Sequence, residues 1–307
     1  MTPNPARRYA LLSIVAAVCT IALKTAAYRV TGSVGLLSDA LESGINLVAA
    51  VVAFWALSFA AKPPDEEHPF GHTKAEYFSS GLESALILVA AISIAIAGWE
   101  RLFAPQPLAQ LGLGLLLSLV ATVINGVVAW VLLQAGNRLR SITLRADAHH
   151  LLTDVWTSVG VVLAILLVKL TGWLVLDPLI ALLVAVNILL AGFRLLKETG
   201  SGLLDSAIPT EERQKINSLL ATYDAQGIQF HALKTRVAGS RRFVTFHVLV
   251  PGVWTVQQGH HLCEELELAI AEILPGTYVM THLEPLEDPR SWADQGLERS
   301  PYPPTET

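Results

Sequence analysis

The stretch ADAHHLLTDVWTSVG, residues 146–160, places Asp147, His149, His150 and Asp154 at the start of a run that is otherwise apolar. Ionisable groups inside a membrane-spanning helix are costly and mark functional positions. The first question is therefore whether this chain crosses a membrane. Of its 307 residues 52% are hydrophobic and only 15% are charged, and the mean hydropathy is +0.50. That is not the profile of a soluble domain. Runs near the ~20 residues needed to span a bilayer lie at about 9–30, 34–60, 78–100, 108–135, 146–170 and 174–196. An even number of spans puts both termini on one side.

Lysine and arginine in the connections set the orientation, because positive charge stays cytoplasmic. Arg7, Arg8, Lys62, Lys74, Arg138, Arg140, Arg145, Arg194 and Lys197 fall on one side, against Arg29, Arg101 and Lys169 on the other. This predicts a multi-pass protein of the cell inner (plasma) membrane with both termini cytoplasmic. The first span lacks a small-residue cleavage pattern and reads as retained rather than as a signal peptide. Cys19 and Cys263 form no disulfide framework, and no basic, aromatic-interleaved patch points to nucleic acid.

Composition changes after Lys197. Residues 1–200 read as the six-helix transmembrane domain and 205–286 as a small cytoplasmic domain; the Pro- and charge-rich 287–307 read as a disordered tail. PTEERQKINSLLATY (209–223) opens like a helix. Two alternating strands follow around Gly239-Ser240, then a helix over 255–274 and a short strand, YVMTHLE (278–284). The order α-β-β-α-β predicts an α+β, ferredoxin-like (metallochaperone-like) module without its first strand.

On a helix, residues four apart share a face, so His150 and Asp154 point the same way, with Asp147 one turn before them. SDALESGINLVAA (38–50) in the second span repeats the layout: Asp39 matches Asp147, Glu42 matches His150 and Asn46 matches Asp154. Two carboxylates, an amide oxygen and an imidazole suit a divalent first-row metal in tetrahedral geometry. His149, about 100° round the helix, reads as a neighbour of that site. In the loop PPDEEHPFGHTKAE (63–76), Asp65, His68 and His72 have the spacing D-x2-H-x3-H, and Gly71 permits the tight turn that would gather them round one metal. In RRFVTFHVLV (241–250), Val244, Phe246, Val248 and Val250 face one way and His247 the other. His282 and Glu284 share a face of the last strand. With His231 and His260 at element starts, they form a second metal-binding set in the tail.

HPFGHTKAE, HHLLTD and THLEP resemble the cation diffusion facilitator family of bacterial zinc/iron-type exporters, and the likeness runs from about residue 8 to 285. The resemblance implies a transport site at Glu42, Asn46, His150 and Asp154 and a loop site at Asp65, His68 and His72. It implies cytoplasmic sites at His231, His247, His260, His282 and Glu284, and a charge lock of Lys74 with Asp205 that holds the membrane and soluble parts of a homodimer. The family's zinc and iron members usually carry Asp or His followed by Asp in span 2, where this chain has Glu42 and Asn46.

The implied activity is secondary active transport rather than enzymatic chemistry: export of Zn2+, or of Fe2+, Co2+, Cd2+ or Mn2+, against protons. The divalent ion is both substrate and structural ligand, and no organic cofactor is implied. Moving a 2+ ion outward against an inside-negative potential costs ~4.6 kcal/mol at 100 mV, which inward protons offset. His150 suits the coupling because an imidazole ordinarily titrates near ~6.5 and loses its metal-binding lone pair on protonation; Asp154 is the second coupling group. The rival readings are a passive channel or a non-transporting metal receptor using the same sites. An intramembrane metalloenzyme would need a separate general base, and there is no H-E-x-x-H.

Overall fold

The structure, a computed structural model, describes the backbone of residues 5–31, 34–103, 113–293 and 296; within these ranges, side chains are not described at 27, 30–31, 34–42, 45, 113–115, 118, 161, 165 and 169. Six long helices come first: α1 (Pro5–Thr31), α2 (Val34–Ala60), α3 (Ala75–Phe103), α4 (Leu113–Leu139), α5 (Ile142–Thr171) and α6 (Leu176–Leu203). In hydrocarbon the backbone must satisfy its own hydrogen bonds, which only helices and closed barrels do. Among the described residues, five of the six hold a stretch long and apolar enough to cross a membrane, and α2 adds a shorter apolar run, Asn46–Ala60.

The bundle is arranged for lipid rather than water. Val48, Trp130, Leu170 and Leu183 are exposed, whereas Ala49, Ala53, Ser80, Ser84 and Thr199 are buried. Small and hydroxyl-bearing side chains let helices approach and bond across the interface. Between α3 and α6, the Ser80 and Thr199 hydroxyls lie 3.0 Å apart. At Gly202 a Cβ would strike the Tyr77 ring. α5 is defined at both ends. Ser141 Oγ accepts from the Leu144 N–H at 3.4 Å, and Gly172, at φ 75°, donates its N–H to the Val168 carbonyl at 2.8 Å, a left-handed cap that glycine adopts without strain. α5 packs against α2, α3, α4 and α6, so its polar stretch is surrounded by protein.

A second compact unit begins at Leu204. It runs α7 (Thr210–Leu220), a 3-10 turn (Ala221–Gln226), β1 (Gln229–Ala238), β2 (Arg241–Val250), α8 (Val256–Ile273), β3 (Thr277–Pro285) and α9 (Pro289–Trp292). The sheet order is β1-β2-β3. β2 is antiparallel to β1 and parallel to β3, with α8 as the crossover. Val244, Phe246, Val248 and Val250 are buried as the alternation predicts, against Ile216, Ile228, Leu266 and Ile270.

Two features depart from the sequence pattern. The β1–β2 register slips between His231 and Lys234, with Ala232 at φ 52°; such a bulge re-aims the side chains beside it. Residues 287–293, whose composition suggests disorder, carry structure instead. Asp288 caps α9 by accepting from the Arg290 N–H at 2.9 Å, and the Trp292 indole donates to the Leu286 carbonyl at 3.0 Å. A single large aromatic gives this short segment surface to bury.

Candidate metal sites

In the helical unit, α2, α4 and α5 converge on one buried polar group. The Asn46 amide bridges two side chains of α5: Nδ2 donates to Asp154 Oδ2 at 2.5 Å, and Oδ1 lies 2.6 Å from His150 Nε2. All three residues are at most 7% exposed. The i, i+4 spacing brings His150 and Asp154 to Asn46, as expected. The side chain of Glu42 lies outside the described residues. α4 adds a group that the sequence reading missed: Asn125 Nδ2 donates to Asp154 Oδ2 at 3.2 Å, and its buried Oδ1 has no hydrogen-bond partner. Carboxylate, imidazole and amide oxygens together form a donor set for a divalent first-row cation.

Asp147, one turn earlier, is 2% exposed and accepts from Ser13 Oγ of α1 at 3.0 Å. It is not a solvated helix start. Glu83 of α3, which the sequence reading did not single out, is equally buried and accepts from Ser79 Oγ at 3.3 Å.

The loop between α2 and α3 gathers Asp65, His68 and His72, whose ligand atoms all lie within 4.8 Å of one another. Asp65 Oδ1 is 3.3 Å from His68 Nδ1, and Oδ2 is 3.3 Å from His72 Nε2. Gly71 holds φ 84° and donates its N–H to the His68 carbonyl at 2.9 Å, which closes the turn. His72 is buried and edge-on to Phe59. The His68 N–H, 2.7 Å from Asp65 Oδ1, is the main reason that the Asp65 carboxyl titrates below its ordinary range, with the charges of His72 and His68 adding to the effect. The carboxylate is thus ionised and ready for a cation.

In the second unit His231, His247 and Glu284 form a matching group. Glu284 Oε2 is 3.0 Å from His231 Nε2 and 3.1 Å from His247 Nδ1, and the two histidines are 3.1 Å apart. Sheet register explains the meeting: His231 pairs with His247 across β1–β2, and His247 pairs with His282 across β2–β3. His282 sits at the rim, 57% exposed, with Nε2 3.4 Å from Glu284 Oε1. His260, exposed on the second turn of α8, lies beside His261 with ring centroids 5.9 Å apart and joins neither group among the described residues. Lys74 Nζ donates to the Leu203 carbonyl at 3.5 Å, and Asp205 accepts from Arg236 at 3.2 Å.

Membrane-spanning helices with a buried carboxylate–imidazole–amide group, followed by a small sheet domain with a carboxylate–imidazole group of its own, define a metal-handling membrane protein. A model of the cation efflux transmembrane domain matches residues 10–204, and one of the cation efflux protein cytoplasmic domain matches residues 208–286. The chain belongs to the cation efflux (cation diffusion facilitator) family. It is 61% identical over 292 residues, 95% of this chain and 94% of the relative, to the Uncharacterized transporter sll1263 of Synechocystis sp. (strain ATCC 27184 / PCC 6803 / Kazusa). To the Cation-efflux pump FieF of Serratia proteamaculans (strain 568) it is 31% identical over 277 residues, 90% of this chain and 91% of the relative. A solved structure of CzrB (Zn form) is 40% identical and covers 27% of this chain and 93% of that chain, with a TM-score of 0.25.

Proposed function

We propose that this protein exports divalent transition-metal cations, zinc first among them, from the cytoplasm in exchange for protons. The observation that carries this reading is the buried junction of Asn46, His150 and Asp154, set in helices of a cation efflux family. FieF relatives are cation-efflux pumps, in keeping with the same cargo. Glu42, Asn46, His150 and Asp154 serve as the transport site, with His150 and Asp154 exchanging protons for metal. Asp65, His68 and His72 hold a second ion, and His231, His247 and Glu284, with His282 at the rim, hold a third. Lysine and arginine on the loops support an inner-membrane protein with both termini cytoplasmic.

The test is flux into proteoliposomes for Zn, Fe, Co, Mn, Cd and Ni, with and without an opposing pH gradient. Zinc uptake accelerated by the gradient is the expected result. Flux indifferent to the gradient would leave a passive channel, and binding without flux a receptor.

The cytoplasmic set supports a homodimer drawn together by metal, with Lys74 and Asp205 as its charge lock. Spin labels on the two tails are expected to move closer as zinc is titrated, and Lys74→Ala to weaken that response. An unchanged distance in protein shown to bind zinc would refute the metal-driven dimer.

A further inference from the structure

β1 lies at an edge of the sheet, yet the side chain of its His231 is only 8% exposed. Two rings account for that. His247 lies on one side, with ring centroids 4.9 Å apart, and Trp292 meets His231 nearly at right angles with centroids 5.5 Å apart. Trp292 is itself partly exposed, so the indole stands between the imidazole and solvent.

The segment carrying Trp292 lies beyond residue 286, where the match to the family's cytoplasmic domain ends. It is tied down at several points. The Leu286 N–H donates to the Val250 carbonyl at 2.9 Å, and the Gly252 N–H to Glu287 Oε2 at 2.8 Å. Ser291 Oγ donates to the Pro285 carbonyl at 2.8 Å, and the indole N–H to that of Leu286. Further on, Lys234 Nζ donates to the Gly296 carbonyl at 3.0 Å. None of these bonds involves the histidines or Glu284. The segment is folded by its own contacts and delivers one aromatic ring to the metal-binding group.

We propose that Trp292 is a positioning residue for the His231–His247–Glu284 site, holding the His231 ring with Nε2 turned toward the other two donors and shielding it from water. This rests on the reading of that group as a metal site. The shell around a metal site controls solvent access, and loss of a supporting partner typically costs ~10–100-fold in affinity. An ion held there is then expected to leave more slowly with the indole in place than without it.

The probe is Co2+ bound to the full-length protein in detergent micelles, read by its d–d absorption. The part of the spectrum lost in His247→Ala reports the cytoplasmic site. In Trp292→Ala that component is expected to be stripped by a chelator about tenfold faster or more, and Trp292→Phe, which keeps a ring against His231, restores most of the wild-type rate. A merely structural role would lower thermal stability without separating Ala from Phe in the stripping rate. If Trp292→Ala releases cobalt at the wild-type rate while His247→Ala removes the component, the positioning role is wrong and the metal site stands. If His247→Ala leaves the cobalt spectrum unchanged, the metal site falls and the inference with it.

Discussion

Zinc flux through Asp154→Ala in proteoliposomes is expected to fall to the level of protein-free vesicles, while the chain still folds and inserts. Asp154 is the carboxylate on which Asn46 and Asn125 both converge, at 2.5 and 3.2 Å. Without it, the described groups at this junction are an imidazole and two neutral amides. In the proposed site Glu42 is then the one carboxylate left, and a 2+ ion leaving water for a low-dielectric interior loses half of the negative charge that compensates it, so the loss should exceed the ~10–100-fold typical of a supporting partner. The fold is expected to survive. Truncation leaves two amides short of an acceptor, at ~1–3 kcal/mol each, and removes a buried charge at the same time. Asp154→Asn separates the two effects: it keeps the shape of the side chain, so its thermal stability should stay near wild type while its flux is still lost. Retention of half the wild-type flux by either variant, in protein of normal stability, would place the transport site elsewhere.

The elements that were legible in the sequence are those where a rule of period or spacing meets a clear contrast in polarity. Asp147, His150 and Asp154 stand out because charges interrupt an apolar run, and the i, i+4 rule puts His150 and Asp154 on one face whatever they pack against. The D-x2-H-x3-H loop closes locally, through Gly71, so spacing alone is informative. Strand alternation found the buried face of β2. What spacing cannot supply is which elements become neighbours. Asn125 is an unremarkable polar residue in VATVINGVVAW until α4 packs beside α5. Glu83 and Ser13 were missed for the same reason. In the second unit, the placement of His231 depends on a bulge with a non-glycine residue at φ 52°, which no residue type announces. His260 shows the converse: an element start looks like any other in sequence, but among the described residues this one lies beside His261 and joins no ligand group. The segment 287–293 looked too polar to fold, and one indole with its hydrogen bond was enough.

Asn46→Asp is expected to move both the pH dependence and the metal preference of transport. The wild-type amide donates to Asp154 and lies at its oxygen end against His150; it neutralises nothing but gives each neighbour a hydrogen-bond partner. An aspartate at the same place turns an oxygen toward Asp154 Oδ2. Two carboxylates cannot both ionise at that separation without a proton or a cation between them, and a like charge so close shifts titration by about one unit or more. Protons should then compete with metal to higher pH, so the pH of half-maximal flux should move up by about one unit. Once the proton leaves, the ion gains a negative oxygen in place of a neutral one. Carboxylate favours harder ions, and ligand type rather than raw affinity separates first-row metals, so Mn2+ and Fe2+ should gain on Zn2+ and Co2+. Flux measured across the metal panel and from pH 5.5 to about 8.5 checks both changes, a window chosen to bracket ordinary imidazole titration. Should the order of preference and the pH profile both stay as in wild type while Asp154→Ala is inactive, Asn46 is a packing residue that orients its neighbours. The amide ligand would then be Asn125, whose buried Oδ1 has no hydrogen-bond partner, and Asn125→Ala should reproduce the loss of flux.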